Sequence, residues 1–351
     1  MHDATACPSR PATASRGCTR NTILLGLVLL QLALALTISS IAGASFNDST
    51  VRMLLLLATT LVPLFMIVLM IAHFLHLAIL RRPRRPLRTF INDIRTVVLD
   101  PRRLGAGLAS LLLVAVFSSA FTDAKANIAQ IQPFAWDPWL AGIDRALHFG
   151  HDPWVLLQPL FGSPLATTVL NANYHFWLFL LYFMIFMAAF DRHERARSAR
   201  FIFALLLSFA LGGNILAILL SSAGPVYFQA FGFGTDFAPL MQGLRASDQV
   251  SPVWALDVQR TLLEGFHDES VIRGISAMPS MHVASSAIMT LYAFSWRRWA
   301  GWLMVLFSAL IMFGSVHLAW HYAVDAYLAI PLALLCWWLA GRLCRLLADP
   351  A

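Results

Sequence analysis

The sequence predicts an all-α, polytopic membrane protein with about eight transmembrane helices, and three observations carry that expectation. Of its 351 residues, 59% are hydrophobic and 12% charged, whereas soluble domains carry about 25% charged residues. Apolar runs recur at about 22–44, 51–80, 104–122, 167–190, 201–223, 281–296, 300–319 and 322–341, most of them long enough for a hydrocarbon core of about 30 Å. Arginines crowd every second connection between these runs. A surface this apolar needs a bilayer as its solvent.

Taken in order, residues 1–20 are polar, small and basic (Arg10, Arg16, Arg20) and are expected to be a disordered cytoplasmic N-terminus. The run from about Thr22 is too long for a signal-peptide core and reads as the first span. Eight arginines follow the second run, from Arg81 to Arg103. Arg192, Arg195, Arg197 and Arg200 follow the fourth, Arg297 and Arg298 the sixth, and Arg342 and Arg345 the last. The other connections are poorer in arginine for their length and hold Asp137, Asp144, Asp152, Asp236, Asp248, Asp257 and Glu264. The positive-inside rule then places both termini in the cytoplasm and turns 123–166 and 224–280 outward. The first of these is rich in tryptophan and proline, as suits a lipid-headgroup interface. The run at 281–296 is the short one.

The net charge of +7 comes from arginine; Lys125 is the single lysine. With that excess sitting in alternate loops, and with no zinc finger or RNA-binding signature, a nucleic-acid partner is excluded. Cys7, Cys18, Cys336 and Cys344 have neither metal-ligand spacing nor the look of a disulfide framework.

Ionisable groups in or beside apolar helices are functional candidates by default. Two clusters qualify, Met278-Pro279-Ser280-Met281-His282 at the start of the sixth run and Ser315 to Asp325 across the junction of the seventh and eighth. The alternation of arginines puts both at the same face. His321 and Asp325 are four apart, which on a helix brings them into hydrogen-bonding range. An Asp on one ring nitrogen fixes the tautomer and leaves the other nitrogen free to attack. His282, from another helix, is placed to supply a proton. Ser280 reads as an N-cap, and a helix start with free N–H groups favours an anion such as phosphate. Two histidines, a carboxylate and a helix N-terminus converge on phosphoryl chemistry.

Pro279-Ser280-Met281-His282 resembles the second signature of the type-2 phosphatidic acid phosphatase superfamily, P-S-G-H, with Met281 where Gly is usual. His321-x-x-x-Asp325 resembles the end of its third signature, S-R-x5-H-x3-D. The wording around both is most similar to the inositolphosphotransferase-like branch related to inositol phosphorylceramide synthase. The resemblance implies a six-helix catalytic bundle over 101–347, with the helices of 21–100 an addition. It implies His321 as a phosphohistidine nucleophile, Asp325 as the residue that orients it and His282 as the acid for the leaving oxygen. It implies no metal and no cofactor, a membrane lipid phosphate as substrate, and water or a polyol or other alcohol as acceptor.

The departures are in the phosphate clamp. The first signature's Lys and Arg are missing from Ala223-Gly224-Pro225-Val226-Tyr227, which keeps only the Pro, and the third signature's Arg falls on Ser315. Ser280, Arg273, Arg260 and His317 are the candidates to bind the phosphate instead. His317, one turn before His321, is balanced evenly between the site and an ordinary helix hydrogen bond. His175 is a candidate to line the cavity but reads rather as interhelical glue, Asp123 with Lys125 as an interfacial pair, Asp144 to Asp152 as mostly solvated loop, and Gly212-Gly213 as close helix packing. The rival reading is a transporter or scaffold that kept the fold without the activity. The expected location is a plasma or inner membrane, with the active site on the extracytoplasmic side.

Overall fold

The computed structural model describes residues 19–47, 49–98, 100–191, 194–268 and 274–346. Residues 1–18, where an N-terminal disorder is expected, and Arg273 lie outside them. Arg20, placed by the sequence reading in that N-terminal segment, is instead the first residue of a helix.

The described chain is helical and without strands. In order it forms α1 (Arg20–Ile41), α2 (Ser49–Leu75), α3 (Pro86–Val98), α4 (Pro101–Ala126), α5 (Ile128–Ile131), α6 (Asp137–Leu147), α7 (Pro153–Phe161), α8 (Pro164–Phe190), α9 (Arg195–Ala210), α10 (Ala217–Leu219), α11 (Ala238–Asp248), α12 (Trp254–His267), α13 (Met281–Trp296), α14 (Arg298–His317) and α15 (Ala323–Leu343). A π-helical segment, Leu211–Leu216, joins α9 to α10. Caps set several starts. Asp100 accepts from the N–H groups of Arg102 and Arg103 with Pro101 in the first turn, and Ser163 accepts from Ala166 N–H before Pro164 does the same for α8.

Seven segments, containing α1, α2, α4, α8, α9, α14 and α15, are long and apolar enough to cross a bilayer. The eighth expected span, α13, has 16 residues, about 24 Å of helix. It is the innermost element, packed on α8, α9, α14 and α15, with Ile288, Met289 and Tyr292 fully buried. The two N-terminal helices differ. Along its length α1 packs on α4, and Gln31 donates to Asn214 at 2.7 Å within the bundle. Of the seven, α2 is the least covered, with Phe65 its one buried residue, nested against Phe179, Phe183 and Phe186.

Contacts sort the helix ends into two groups. At one end Arg20 donates to the carbonyls of Ala188 and Ala189, Arg103 to that of Phe190, and Arg197 to that of Ser295. At the other end Ser39 meets Asp123, and Thr167 meets His317. The arginine-bearing ends therefore gather together, and the starts of α13 and α15 lie opposite them.

The two long connections at that opposite end are folded rather than open. One forms α5 to α7 and the other a short 3-10 turn, Pro225–Tyr227, then α11 and α12. The reading of Asp144 as solvated loop is wrong, since it is 2% exposed and accepts from the N–H groups of Ala323 and Val324 at 2.7 and 2.9 Å. Burial pushes its carboxyl up to about 6 against those two hydrogen bonds. The pairing of Asp123 with Lys125 is also wrong. Asp123 accepts from Ser39 Oγ at 2.6 Å and from Asn47 N–H at 2.8 Å, while Lys125 points elsewhere.

Candidate active site

The chain between α14 and α15 places His321. At Ala319 the backbone takes φ +62, a left-handed turn that ends α14 after His317. The carbonyl of Ser315 then accepts the N–H groups of both Trp320 and His321 at 2.9 and 3.0 Å. His321 is thus in the link before α15, while Asp325 lies in its first turn. The two do meet, with Nδ1 3.1 Å from Asp325 Oδ2, but not as neighbours on one helix face. The same Oδ2 accepts Tyr322 N–H at 3.2 Å, as an N-terminal capping contact. A carboxylate acceptor makes Nδ1 the protonated nitrogen, leaving Nε2 with its lone pair.

Other carboxylates hold this link from outside it. Asp137, fully buried, accepts from Ser222 Oγ, from the N–H groups of Ala223 and Gly224, and from Tyr322 Oη, all within 3.0 Å. Burial and then the Asp137 charge push the Tyr322 phenol far up, so it stays a donor. Asp144 covers the first N–H groups of α15. Ser280 N–H donates to the Asp325 carbonyl at 3.2 Å, tying the start of α13 to the same link.

His282 faces a cavity of about 420 Å³ that His321 also lines. Its ring stacks on Tyr174 at 4.3 Å and leans on Trp177 at 4.1 Å, centroid to centroid. The His282 and His321 rings are 6.1 Å apart and inclined at 63°. Tyr174 Oη and Trp320 Nε1, on residues of the same wall, have no hydrogen-bond partner among the described residues.

The structure brings together His282, His321 and Asp325 and sets apart three of the four other candidates, Ser280, Arg260 and His317. Ser280 is buried as the cap of α13, accepting from Val283 N–H, and is not part of the cavity wall. Arg260 is exposed and ion-paired with Asp257 at 2.7 Å, while Val258 and Leu262 of the same helix line the cavity. His317 stays inside α14, where its Nε2 meets Thr167 Oγ1 at 2.9 Å, because the turn at Ala319 separates it from His321. Arg273 lies outside the described residues. His175, weighed as a cavity residue but read rather as glue, does line the cavity, with Nδ1 held by its own helix at Asn171. Lys125, at the end of α4, was missed as a wall residue. The signal for Lys125 was its being the single lysine, in an apolar run.

The signature departures have local causes. Gly224 has φ +94, and a Cβ there would lie 2.7 Å from the Trp320 carbonyl oxygen, so an arginine cannot occupy that place. Ser315 is fully buried with its hydroxyl on the Met312 carbonyl. Met281 fits because Gly212 and Gly213 face it; a Cβ on Gly212 would lie 3.0 Å from its sulfur and 2.5 Å from Leu332.

A helical bundle of bilayer-spanning length with a His–Asp pair and a second histidine around one apolar-walled cavity defines a polytopic membrane protein with a candidate acid–base and nucleophilic site at one end. The sequence profile of the PAP2 superfamily matches residues 138–339, and the chain belongs to that superfamily. No curated protein and no solved structure matches the chain. Membership points to phosphatase or phosphotransfer chemistry on lipid phosphates.

Proposed function

We propose that the protein transfers a phosphoryl-linked group from a membrane lipid phosphate ester to an alcohol such as inositol, through a phosphohistidine at His321. The observation that carries this reading is the Asp325–His321 contact of 3.1 Å, with Nε2 free beside the cavity that His282 lines. Nε2 attacks phosphorus, the P–O bond to the leaving group breaks, and protonated His282 gives its proton to the departing oxygen. The new imidazolium keeps its Nδ1 proton on Asp325. Neutral His282 then takes the proton of the acceptor hydroxyl, whose oxygen attacks phosphorus as the N–P bond breaks. The two rings, 6.1 Å apart between centroids, line one cavity, so one bound phosphate ester is within reach of both. Transfer rather than hydrolysis is favoured by the loss of all three signature cations together with the branch-like wording around both motifs.

The test is purified protein in detergent with a labelled lipid phosphate, with and without free inositol. A new phospholipid is expected with inositol. Release of inorganic phosphate alone would make the protein a phosphatase, and neither product across a broad lipid panel would favour the scaffold. His321→Ala should abolish turnover and any acid-labile phosphoenzyme, and Asp325→Asn should lower turnover by at least about 10². Near-normal turnover in His321→Ala would place the nucleophile elsewhere.

We also propose that the site faces the extracytoplasmic side of a plasma or inner membrane, with both termini cytoplasmic, on the gathering of arginines at the opposite end. Cysteines at exposed Val250 and Arg84 should label from opposite sides of the membrane; labelling from one side would remove this orientation.

A further inference from the structure

We propose that Lys125 is the phosphate-binding cation of this site, reaching it from α4 in place of the cations that the signatures lack. The proposal rests on the phosphotransfer reading above and goes beyond it. Lys125 lies outside the segment 138–339 that the family profile matches, so nothing in the family motifs assigns it.

Four observations support it. First, Lys125 lines the same cavity as His282 and His321 and, among the described residues, is the single Lys or Arg in that wall. Second, no hydrogen bond or ion pair to it occurs among the described residues, and its neighbour Asp123 turns the other way to Ser39 and Asn47. An ammonium in a membrane bundle without a partner is unfavourable, and such groups mark ligand sites. Third, the chain leading to His282 passes against its stem. Gly274 has φ +115, where only glycine is unstrained, and a Cβ built there would be in ordinary contact with Lys125 Cγ at 3.5 Å. Fourth, the rest of the wall offers donors without partners, Tyr174 Oη and Trp320 Nε1. An ammonium with three protons and two neutral donors make a cradle for phosphate oxygens. The positions of the signature cations are closed, by the φ of Gly224 and by the burial of Ser315.

The test uses full-length protein in detergent and two readouts, turnover of a labelled lipid phosphate and the shift of melting temperature with inorganic phosphate or orthovanadate. Lys125→Met should fold with a melting temperature equal to or above wild type when no anion is present, because it removes an uncompensated charge. It should lose the anion-dependent shift and lose kcat/KM by about 10²–10³, the usual effect of removing one such donor. Lys125→Arg should keep part of both. A Met variant that shifts like wild type, or that melts lower without anion, would overturn the proposal; the second result would mark the amine as structural. A wild-type protein that shows no shift with either anion would overturn it too. His321→Ala separates this from the underlying reading. It should be inactive yet shift with anion, whereas an active His321→Ala would sink the nucleophile and leave the Lys125 binding test standing.

Discussion

At one end of the bundle arginines donate to carbonyls near helix C-termini, and at the other end aspartates accept from backbone N–H groups near helix N-termini. Arg20, Arg103 and Arg197 reach the ends of α8 and α13, where carbonyls lack intrahelical donors. Asp137, Asp144 and Asp325 cover the N–H groups of Ala223 and Gly224 and the start of α15. Both ends obey the same dipole rule, but they differ in burial. The arginines lie at a partly exposed rim and can be replaced by water. The aspartates are buried, Asp137 and Asp144 among them joining segments far apart in sequence, and water cannot take over their bonds. The candidate site sits where the loops are fixed by buried carboxylates, as a site needs its groups held to a fraction of an ångström.

The largest effect expected from this contrast is at Asp137. Replacing it by Ala leaves two backbone N–H groups and two hydroxyls without an acceptor in a buried place, and each buried donor left unpaired costs about 1–3 kcal/mol. We expect Asp137→Ala to lower the melting temperature strongly and to abolish turnover, although Asp137 does not line the cavity. Asp137→Asn should be intermediate, because its amide oxygen still accepts while its NH2 faces donors. Thermal melts of both variants in detergent check this. A melting temperature within a degree or two of wild type for Asp137→Ala would break the comparison.

The helical class and the His282–His321–Asp325 set were legible because hydropathy and short-range spacing carry them. The manner in which His321 meets Asp325 was not. The break at Ala319 has no glycine or proline to announce it, and it is the Ser315 carbonyl, a group no side-chain pattern reveals, that holds the turn. The same reason hid Asp137 and Asp144, whose partners are largely backbone N–H groups from distant loops. Lys125 was visible as an anomaly but not as a wall of the cavity, because the end of α4 meets the chain leading into α13, at Gly274, only in the folded structure. Arg260 misled because nearness in sequence to His282 says nothing of the helix face it occupies.

The smallest effect is expected at the basic end, at Arg200. Its Nε donates to the Trp337 carbonyl at 3.0 Å, and its guanidinium lies 4.4 Å from the Trp337 ring centroid. Gly341 leaves the space, since a Cβ there would meet the guanidinium carbon at 3.1 Å. Lysine keeps the charge but loses the planar group that both stacks and donates. A hydrogen bond and a cation–π contact at a half-exposed site are worth about 1 kcal/mol each at most. Arg200→Lys should therefore lower the melting temperature by a few degrees, and turnover with a lipid phosphate should stay within about twofold of wild type, because the contact joins α9 to α15 far from His321. Steady-state kinetics beside a melt decide it. A tenfold fall in kcat with an unchanged melting temperature would mean that the basic end is coupled to the chemistry, and that the two ends cannot be treated as a clamp and a site.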